Sequence, residues 1–233
     1  MGSMSGGPRA PDVDLDNGEP VSQNPMRMPG QRDPDRTRRA ILDAATDEFV
    51  KKGFAGASVN EIAERANVNK RMLYHYFGKK DELYVAVLER SYASLRTAQA
   101  ELKLADLPPA QAIETLILFT WNYYLENPEF LSLMASENMH QGKYAMRSQR
   151  IREVNVPLME LLKEVLDRGQ RDGSLRANID PLHLYLTIAS LGSFYMCSRF
   201  TLSSLLGYDL NSDAHMQTRL AHILDVVQRY LRP

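Results

Sequence analysis

Residues 58–80 read SVNEIAERANVNKRMLYHYFGKK, and this stretch decides the fold. Ser58, followed three residues later by Glu61, has the pattern of a capping box, which predicts a helix that begins at this point. Residues 67–68 then form a tight turn, and Asn69 can cap a second short helix. Two short helices joined by a tight turn are typical of a helix-turn-helix unit, so we expect one here.

The second of these helices has two chemically different sides when it is drawn at about 100° per residue. Leu73, Tyr76 and Phe77 fall on one arc, which is expected to face the core. The opposite arc holds cations and polar rings, namely Lys70, Arg71, Tyr74 and His75. Because Lys and Arg donate to guanine in the major groove and Tyr hydroxyls suit phosphate oxygens, this arc predicts DNA contact. For a single residue such as Lys79, a solvated basic surface is the alternative.

Ser58 and Lys80 extend the predicted DNA-binding face at its two ends. The Ser58 hydroxyl lies at a helix start, where it can donate to a phosphate together with free backbone amides. Lys80 adds an ammonium group directly after the basic arc. Asp81 and Glu82 then suit the N-terminus of a long fourth helix.

Helical periodicity continues on both sides of this stretch, and we find no convincing strand alternation, so the chain is predicted to be all-α. The other expected helices are one from near Pro34 that closes at residues 51–53, and later ones at roughly 109–125, after 127–128, at 150–171, after 180–181 and at 212–231. Residues 32–80 are predicted to be a three-helix DNA-binding domain. Residues 81–233 are predicted to be a helical domain for ligand binding and dimerisation.

The bulk numbers limit where a nucleic-acid site can be. The chain has 233 residues and a net charge of −1, so any such site must be local. Residues 1–31 are rich in Pro and Gly and are predicted to be a disordered tail, with more acids than arginines and therefore poor as a DNA-binding arm. The N-terminus has no secretory h-region, which indicates the cytoplasm.

Residues 181–198 contain no Asp, Glu, Lys or Arg and reach the length of a membrane-spanning helix. They also contain His183, Thr187 and several serines, and Arg199 follows at once. We therefore expect a helix buried between protein surfaces, and no membrane partner.

Residues 36–88 resemble the DNA-binding domain of the TetR family of bacterial transcriptional repressors. The match rests on the stretch AILDAATDEFVKKGFAGASVNEIAERANVNKRMLYHYFGKKDELYVAVL. The resemblance implies that Lys70 and Arg71 face bases. It implies that further residues contact the phosphate backbone or lie beside it, and these are Ser58, Tyr74, His75, Tyr76 and Lys80. Asn69, where the family usually has Ser or Thr, is counted with the DNA-binding residues.

The C-terminal part carries a second, weaker resemblance. ENPEFLSLMASENMHQGKY at residues 126–144 and NIDPLHLYLTIASLGSFY at residues 178–195 look like the subgroup that includes the pyrimidine-utilisation repressor. Family members carry a helical ligand-binding and dimerisation domain. The resemblance therefore implies three partners: a double-stranded DNA operator, a small-molecule effector and a second copy of the chain.

Rings and thioethers are frequent in this part, and such side chains can line an adaptable pocket. The candidate ligand-binding residues are Phe119, Trp121, Tyr123, Tyr124, Met134, Met139, His140, Tyr185 and Phe194. For any single residue, ordinary core packing is the alternative. No metal or cofactor is expected, because His215 and His222 lack a third ligand nearby.

Two late helices carry faces that suit a homodimer. Small residues recur at every fourth position on one helix: Ala189, Ser193 and Cys197. An apolar face recurs on the last helix: Leu220, Leu224, Val227 and Leu231. Two such helices from each copy would make a four-helix interface, whereas packing within one chain is the alternative.

The most concrete hypothesis is a ligand-responsive transcriptional repressor that binds an inverted-repeat operator as a dimer and is released by a small-molecule effector. A ligand-independent DNA-binding protein is one alternative. An enzyme that uses the helical-domain cavity is another, but the sequence has no P-loop, GxGxxG, GxSxG or HExxH motif.

Overall fold

The computed structural model describes residues 33–233, which form helices and connecting turns without any strand. The nine α-helices of this part of the chain are α1 (Pro34–Gly56), α2 (Val59–Arg65), α3 (Lys70–Phe77), α4 (Lys80–Ala100), α5 (Pro109–Glu126), α6 (Pro128–Met139), α7 (Gln149–Arg171), α8 (Pro181–Leu206) and α9 (Asp213–Leu231). Short 3-10 turns lie at Leu104–Asp106 and Ala145–Arg147. The all-α prediction is confirmed, while the predicted tail at 1–31 lies outside the described residues.

The caps read from the sequence are present at the two short helices. Ser58 Oγ accepts a hydrogen bond from the Glu61 amide at 3.5 Å, and Asn69 Oδ1 accepts one from the Met72 amide at 2.7 Å. Between them Asn67 has a φ of 52°, a left-handed conformation that Asn tolerates better than most residues. The turn between α2 and α3 is therefore fixed by local chemistry.

The end of α1 differs slightly from the expectation. Gly53 has a φ of 67° inside the helix, and the chain kinks there before one more turn leads to Gly56. No atom lies within 4 Å of where a Gly53 side chain would begin, so the glycine is needed for its backbone conformation and not for space.

The first hydrophobic cluster is built by α1, α2, α3 and the first half of α4. Its fully buried members include Ile41, Ala45, Phe49, Ile62, Leu73, Leu83, Tyr84 and Val87. Leu133, Tyr144 and Ile151 join it from later in the chain. The helix-turn-helix unit thus rests on a core to which α6, the segment before α7 and the first turn of α7 also contribute.

The second hydrophobic cluster lies around α5, which packs against α7, α8 and α9. Its most buried members include Ala112, Leu116, Trp121, Leu162, Val165, Leu184, Ile188, Ile223 and Val227. Leu95, in the second half of α4, also belongs to this cluster. The single helix α4 therefore has one half in each of the two cores.

The uncharged residues 181–198 form the first two thirds of α8 and bury Leu184, Ile188 and Tyr195 against the second cluster. Among residues 33–233, no helix has the length and apolar character needed to cross a membrane. The expectation of a helix packed against protein is confirmed for this stretch.

Candidate DNA interface and interior polar site

The outward face of α3 carries the predicted DNA-binding donors. Leu73 is fully buried, and this fixes the rotation of α3 on the core. Lys70, Arg71 and His75 are exposed on the opposite side, and Tyr74 is 42% exposed. Cations and rings thus form one solvent-facing patch, as the 100° spacing predicted.

The other predicted contacts lie around this patch. The Ser58 oxygen accepts its capping hydrogen bond, which leaves the hydroxyl hydrogen free to donate to a phosphate. The Asn69 side chain is exposed beside the start of α3. Tyr76 is half-buried, with its ring centroid 5.8 Å from that of His75. These three residues border the exposed face rather than project from it.

Lys80 is held by its own chain. Its Nζ donates to the Ala55 carbonyl at 3.2 Å and lies 5.0 Å from the centroid of the Phe54 ring. Burial lowers the pKa of this ammonium group. An ammonium has three donors, so two remain for an external acceptor.

Sequence reasoning missed Glu48, which lies fully buried beneath the helix-turn-helix unit. Its Oε1 accepts from the Ser58 amide at 3.1 Å and lies 2.9 Å from Lys52 Nζ, while its Oε2 is 3.7 Å from Arg65 Nη2. Lys52 also pairs with Glu61. This network joins α1 to both ends of α2, and through α2 it positions α3.

Opposing effects set the pKa of Glu48. Burial acts to raise it, but hydrogen bonds from Lys52 and the Ser58 amide, together with the charges of Lys52 and Arg65, leave it below its ordinary value. The carboxylate is therefore ionised at neutral pH. An acid seven residues after Ile41, on the apolar face of α1, was the signal in the sequence.

The predicted ligand-binding residues are not gathered in one cavity. Phe119 and Tyr123 line a groove of about 600 Å³ between α4 and α5. Trp121 is 4% exposed and packs on Tyr195, with ring centroids 5.6 Å apart. Met134 is half-buried against the second cluster.

The structure corrects the prediction for three of these residues. Met139 and Phe194 are 85% and 62% exposed, so their side chains do not line the interior. The His140 ring lies 6.0 Å from that of Phe54, at the first cluster rather than the second. Composition identified apolar rings and thioethers, but it does not tell which side of a helix they occupy.

Arg96, which the sequence reasoning passed over, is the centre of a polar site inside the C-terminal part. Its Nε donates to Asn155 Oδ1 at 2.8 Å, its Nη1 to Gln99 Oε1 at 2.6 Å and its Nη2 to Tyr185 Oη at 2.9 Å. The Arg96 Cζ is 5.5 Å from the centroid of the Tyr185 ring. The site connects α4, α7 and α8. A cation four residues after Tyr92, on the inner stripe of α4, was the available signal.

A wall of rings borders this site. Phe130 packs edge-on against Tyr92 and Tyr123, with centroids 5.6 and 5.8 Å apart, and stacks on Tyr124 at 6.2 Å. Burial raises the pKa of all three tyrosines, so they are neutral hydrogen-bond donors at physiological pH. Two of the predicted pocket residues belong to this region: Tyr124 is part of the wall of rings, and Tyr185 accepts a hydrogen bond from Arg96.

The predicted dimer faces are partly corrected. Val227 and Leu231 are 1% and 4% exposed, because they pack into the second cluster of their own chain and have no surface left for a partner. Leu220 and Leu224 are half-buried. On α8, Ala189 and Ser193 are half-buried and Cys197 is exposed. Large apolar side chains flank them on the outside of α8: Leu182, Leu186, Phe194 and Phe200.

Two protein-family descriptions match this chain. Residues 41–87 match "Bacterial regulatory proteins, tetR family", and residues 109–227 match "Tetracyclin repressor-like, C-terminal domain". The first range contains the helix-turn-helix unit, and the second contains α5 to α8 and most of α9.

Relatives and a solved structure agree with these matches. The transcriptional repressor NicS of Pseudomonas putida is 42% identical over 198 residues, which cover 85% of this chain and 93% of that protein. RutR of Escherichia coli K12 is 27% identical over 84% of this chain and 91% of that protein. The crystal structure of SCO4942 from Streptomyces coelicolor has the same fold, with a TM-score of 0.65 and 24% identity over 84% of this chain and 99% of that one. The chain therefore belongs to the TetR family of bacterial transcriptional regulators.

Proposed function

We propose that this chain is a ligand-responsive transcriptional repressor, which binds an inverted-repeat operator as a homodimer and is released by a small-molecule effector. Residues 32–80 are the DNA-reading domain, and residues 81–233 are the ligand-binding and dimerisation domain. The repressor name of NicS, at 42% identity, supports this sign of regulation. Family membership also argues against the enzyme alternative.

The observation that carries the proposal is the solvent-facing patch on α3. Residues 69–80 contain no Asp or Glu, so no negative charge in this stretch offsets the positive charge of the patch. The Lys70 ammonium lies 5.8 Å from the centroid of the Tyr74 ring, which keeps the two side chains together on the exposed face. A rigid short helix with clustered donors fits the major groove of DNA.

Different residues have different roles in this proposal. Lys70 and Arg71 donate to base edges and thereby set the sequence preference. The residues assigned to the phosphate backbone and its surroundings are Ser58, Asn69, Tyr74, His75, Tyr76 and Lys80. Backbone contacts fix the register of α3 without reading sequence.

The outside of α8 is the proposed dimer interface, with α9 beside it. Leu186, Phe194 and Phe200 are 49%, 62% and 65% exposed, and they follow one another along the same helix. Apolar side chains of this size are normally covered by another surface. A protein that binds an inverted-repeat operator also needs a second copy related by a twofold axis. A dimer of this kind should read half-sites about one helical turn apart, or a multiple of it.

Helix α4 is the proposed link between effector and DNA. It begins at Lys80 beside the reader and reaches Arg96 and Gln99 in its last two turns. An effector that favours a different tilt of α4 would change the spacing of the two α3 helices in a dimer. The coupling free energy is limited by the effector's preference between the two states, commonly about 1–3 kcal/mol.

Binding of purified protein to genomic DNA fragments, followed by footprinting of the retained sites, tests the proposal. Arg71→Ala should weaken binding by about 1–3 kcal/mol and relax the preference at one base position in each half-site. Lys163→Ala, which removes an exposed cation from α7, is the matched control and should bind like wild type. If Arg71→Ala also binds like wild type, α3 is not the reading helix.

A further inference from the structure

Arg96 carries a charge that its neighbours do not neutralise. An arginine side chain carries a positive charge in proteins. The three hydrogen bonds of Arg96 go to two amide oxygens and one phenol oxygen, all of them neutral. Among residues 33–233, the carboxylates within 4 Å of a cation pair with other residues, not with Arg96. A partly buried cation without a counter-charge is unfavourable, so an anion that binds from outside would stabilise it.

The site also has more donors than acceptors. A guanidinium has five N–H groups, and the three hydrogen bonds of Arg96 leave one N–H on each Nη. Tyr124 is 4% exposed, and its hydroxyl has no hydrogen-bond partner among the described residues. Tyr92 is half-buried, its hydroxyl also has no hydrogen-bond partner among the described residues, and the charge of Arg96 acts on both tyrosines. The site therefore has spare donors, and a carboxylate can take two parallel N–H bonds from one Arg.

The surroundings of Arg96 indicate the size and shape of such a ligand. A cavity of about 90 Å³ lies beside Arg96 and Gln99, and its other lining residues are Ala100, Val154, Pro157, Leu158 and Leu161. This volume equals that of about three water molecules, which is enough for a carboxylate group. Apart from Arg96 and Gln99, the lining is aliphatic, which suits an apolar body attached to the carboxylate.

From the guanidinium without a counter-charge, its spare donors and the apolar cavity beside it, we propose that the effector is a small organic acid whose carboxylate binds Arg96. This inference rests on the proposed function, because it names the chemical class of the effector. Arg96 lies on α4, so an anion that draws this side chain away from Asn155 or Tyr185 would alter how α4 packs on α7 and α8.

Paired small molecules that differ in charge test this proposal. Benzoate and phenylacetate are compared with benzamide and phenylacetamide, which have nearly the same shape without the charge. The readouts are the melting temperature and the emission of Trp121, the single tryptophan of the chain, which lies one turn from Tyr124 on α5. Wild type should bind at least one of the two acids, and should bind its amide at least about tenfold more weakly.

Variants of Arg96 assign the effect to this residue. Arg96→Gln should weaken binding of the acid at least about tenfold. Arg96→Lys keeps the positive charge but loses the planar guanidinium with its parallel N–H donors, so its affinity for the acid should lie between those of Arg96→Gln and wild type. Arg168→Gln is the control, since Arg168 is also a half-buried Arg and donates to the Leu107 carbonyl at 3.0 Å, away from this site. The circular dichroism spectrum of each variant shows whether it is folded.

Three results would overturn the proposal: neither acid binds wild type, the amides bind as tightly as the acids, or Arg96→Gln binds the acids like wild type. Binding to the retained genomic DNA fragments is measured on the same samples. Wild type that binds DNA but neither acid would refute the effector class alone. Wild type that binds an acid but no DNA would refute the proposed repressor function instead.

Discussion

Glu48 beneath the helix-turn-helix unit and Arg96 on the second half of α4 are both charged groups at least partly withdrawn from water, but their surroundings differ. Glu48 meets two cations and a backbone amide. Arg96 meets three neutral oxygens. A buried charge with its counter-charges in place acts within the fold, whereas a charge whose counter-charge is missing marks a position where a ligand can supply it.

The outer surfaces of the two regions differ in the same way. The exposed side of α3 is polar and is stable in water without any partner. The exposed side of α8 presents Leu186, Phe194 and Phe200 to solvent, which water does not stabilise. In both comparisons, the group that lacks a partner within its own chain lies C-terminal to the helix-turn-helix unit. These groups are the Arg96 guanidinium and the apolar side of α8. The exposed side of α3 is thus stable in water without a partner, whereas Arg96 and the outer side of α8 are the positions where we expect a partner to bind.

The largest expected effect is on dimer formation. Phe194→Glu places a charge on the exposed apolar side of α8, and burying that charge against a second copy would be strongly unfavourable. The variant should be a folded monomer that binds operator DNA far more weakly than wild type. Sedimentation measures the mass, and the melting curve shows that the monomer remains folded.

Met146→Glu is the matched control for this prediction. Met146 is 65% exposed, but it lies in the 3-10 turn at Ala145–Arg147 and not on α8. It should leave the dimer intact. A wild-type protein that sediments as a monomer at micromolar concentration, or a Phe194→Glu variant that remains a dimer, would contradict the proposed interface.

Removal of the buried carboxylate should have the next largest effect. Glu48→Ala removes the acceptor for the Ser58 amide and leaves that group without a partner, so the free energy of unfolding should fall by about 1–3 kcal/mol. Glu48→Gln keeps an oxygen that can accept this bond and should be less destabilising. Urea unfolding followed by circular dichroism gives both values, and equal stabilities for wild type and Glu48→Ala would contradict a structural role.

The same carboxylate predicts a dependence of stability on pH. The pKa of Glu48 is lower in the folded protein than its ordinary value of 4.5, so the ionised form stabilises the fold. This contribution is complete above about pH 4.5 and is lost as the pH falls through the folded-state pKa. Wild type should therefore lose stability below pH 4.5 more steeply than Glu48→Gln, as measured by urea midpoints between pH 3 and 7. If the urea midpoints of wild type and Glu48→Gln fall equally with pH, Glu48 has the same pKa in the folded and unfolded protein, and the prediction is wrong.

Arg96 should contribute less to stability than Glu48 does. Arg96→Met gives up three hydrogen bonds but also removes an uncompensated charge, and these effects oppose each other. We expect the free energy of unfolding without ligand to change by less than about 1 kcal/mol. A loss as large as that of Glu48→Ala would mean that Arg96 serves chiefly to hold α4, α7 and α8 together.

The smallest effect is expected at the ion pair between Arg147 and Asp81. Arg147 Nη1 lies 2.7 Å from Asp81 Oδ2, and both side chains are partly exposed to solvent. Water and salt screen such pairs, so Arg147→Ala should leave the melting temperature nearly unchanged, with any difference vanishing at high salt. A clear destabilisation that persists at high salt would indicate that this contact holds the segment before α7 on the start of α4.

The helix-turn-helix unit could be predicted in detail because its signals are local. The capping hydrogen bonds at Ser58 and Asn69 involve residues three positions apart, and the two faces of α3 follow from helical spacing alone. The C-terminal site could be predicted only in part. Ring and thioether chemistry predicts Tyr124 and Tyr185, but it predicts Met139 and Phe194 equally, and those two lie on the surface.

The sequence by itself determined the helices, their caps, the outward basic face of α3 and the membership of a family of DNA-binding regulators. Only the tertiary structure decided which apolar residues are covered by their own chain, as Val227 and Leu231 are, and which face outward, as Phe194 does. It also decided that Glu48 is paired and that Arg96 meets Asn155 and Tyr185, residues 59 and 89 positions away. The physical reason is range: caps and helix faces depend on neighbours within about one turn, whereas charge pairing and burial depend on helices brought together by folding.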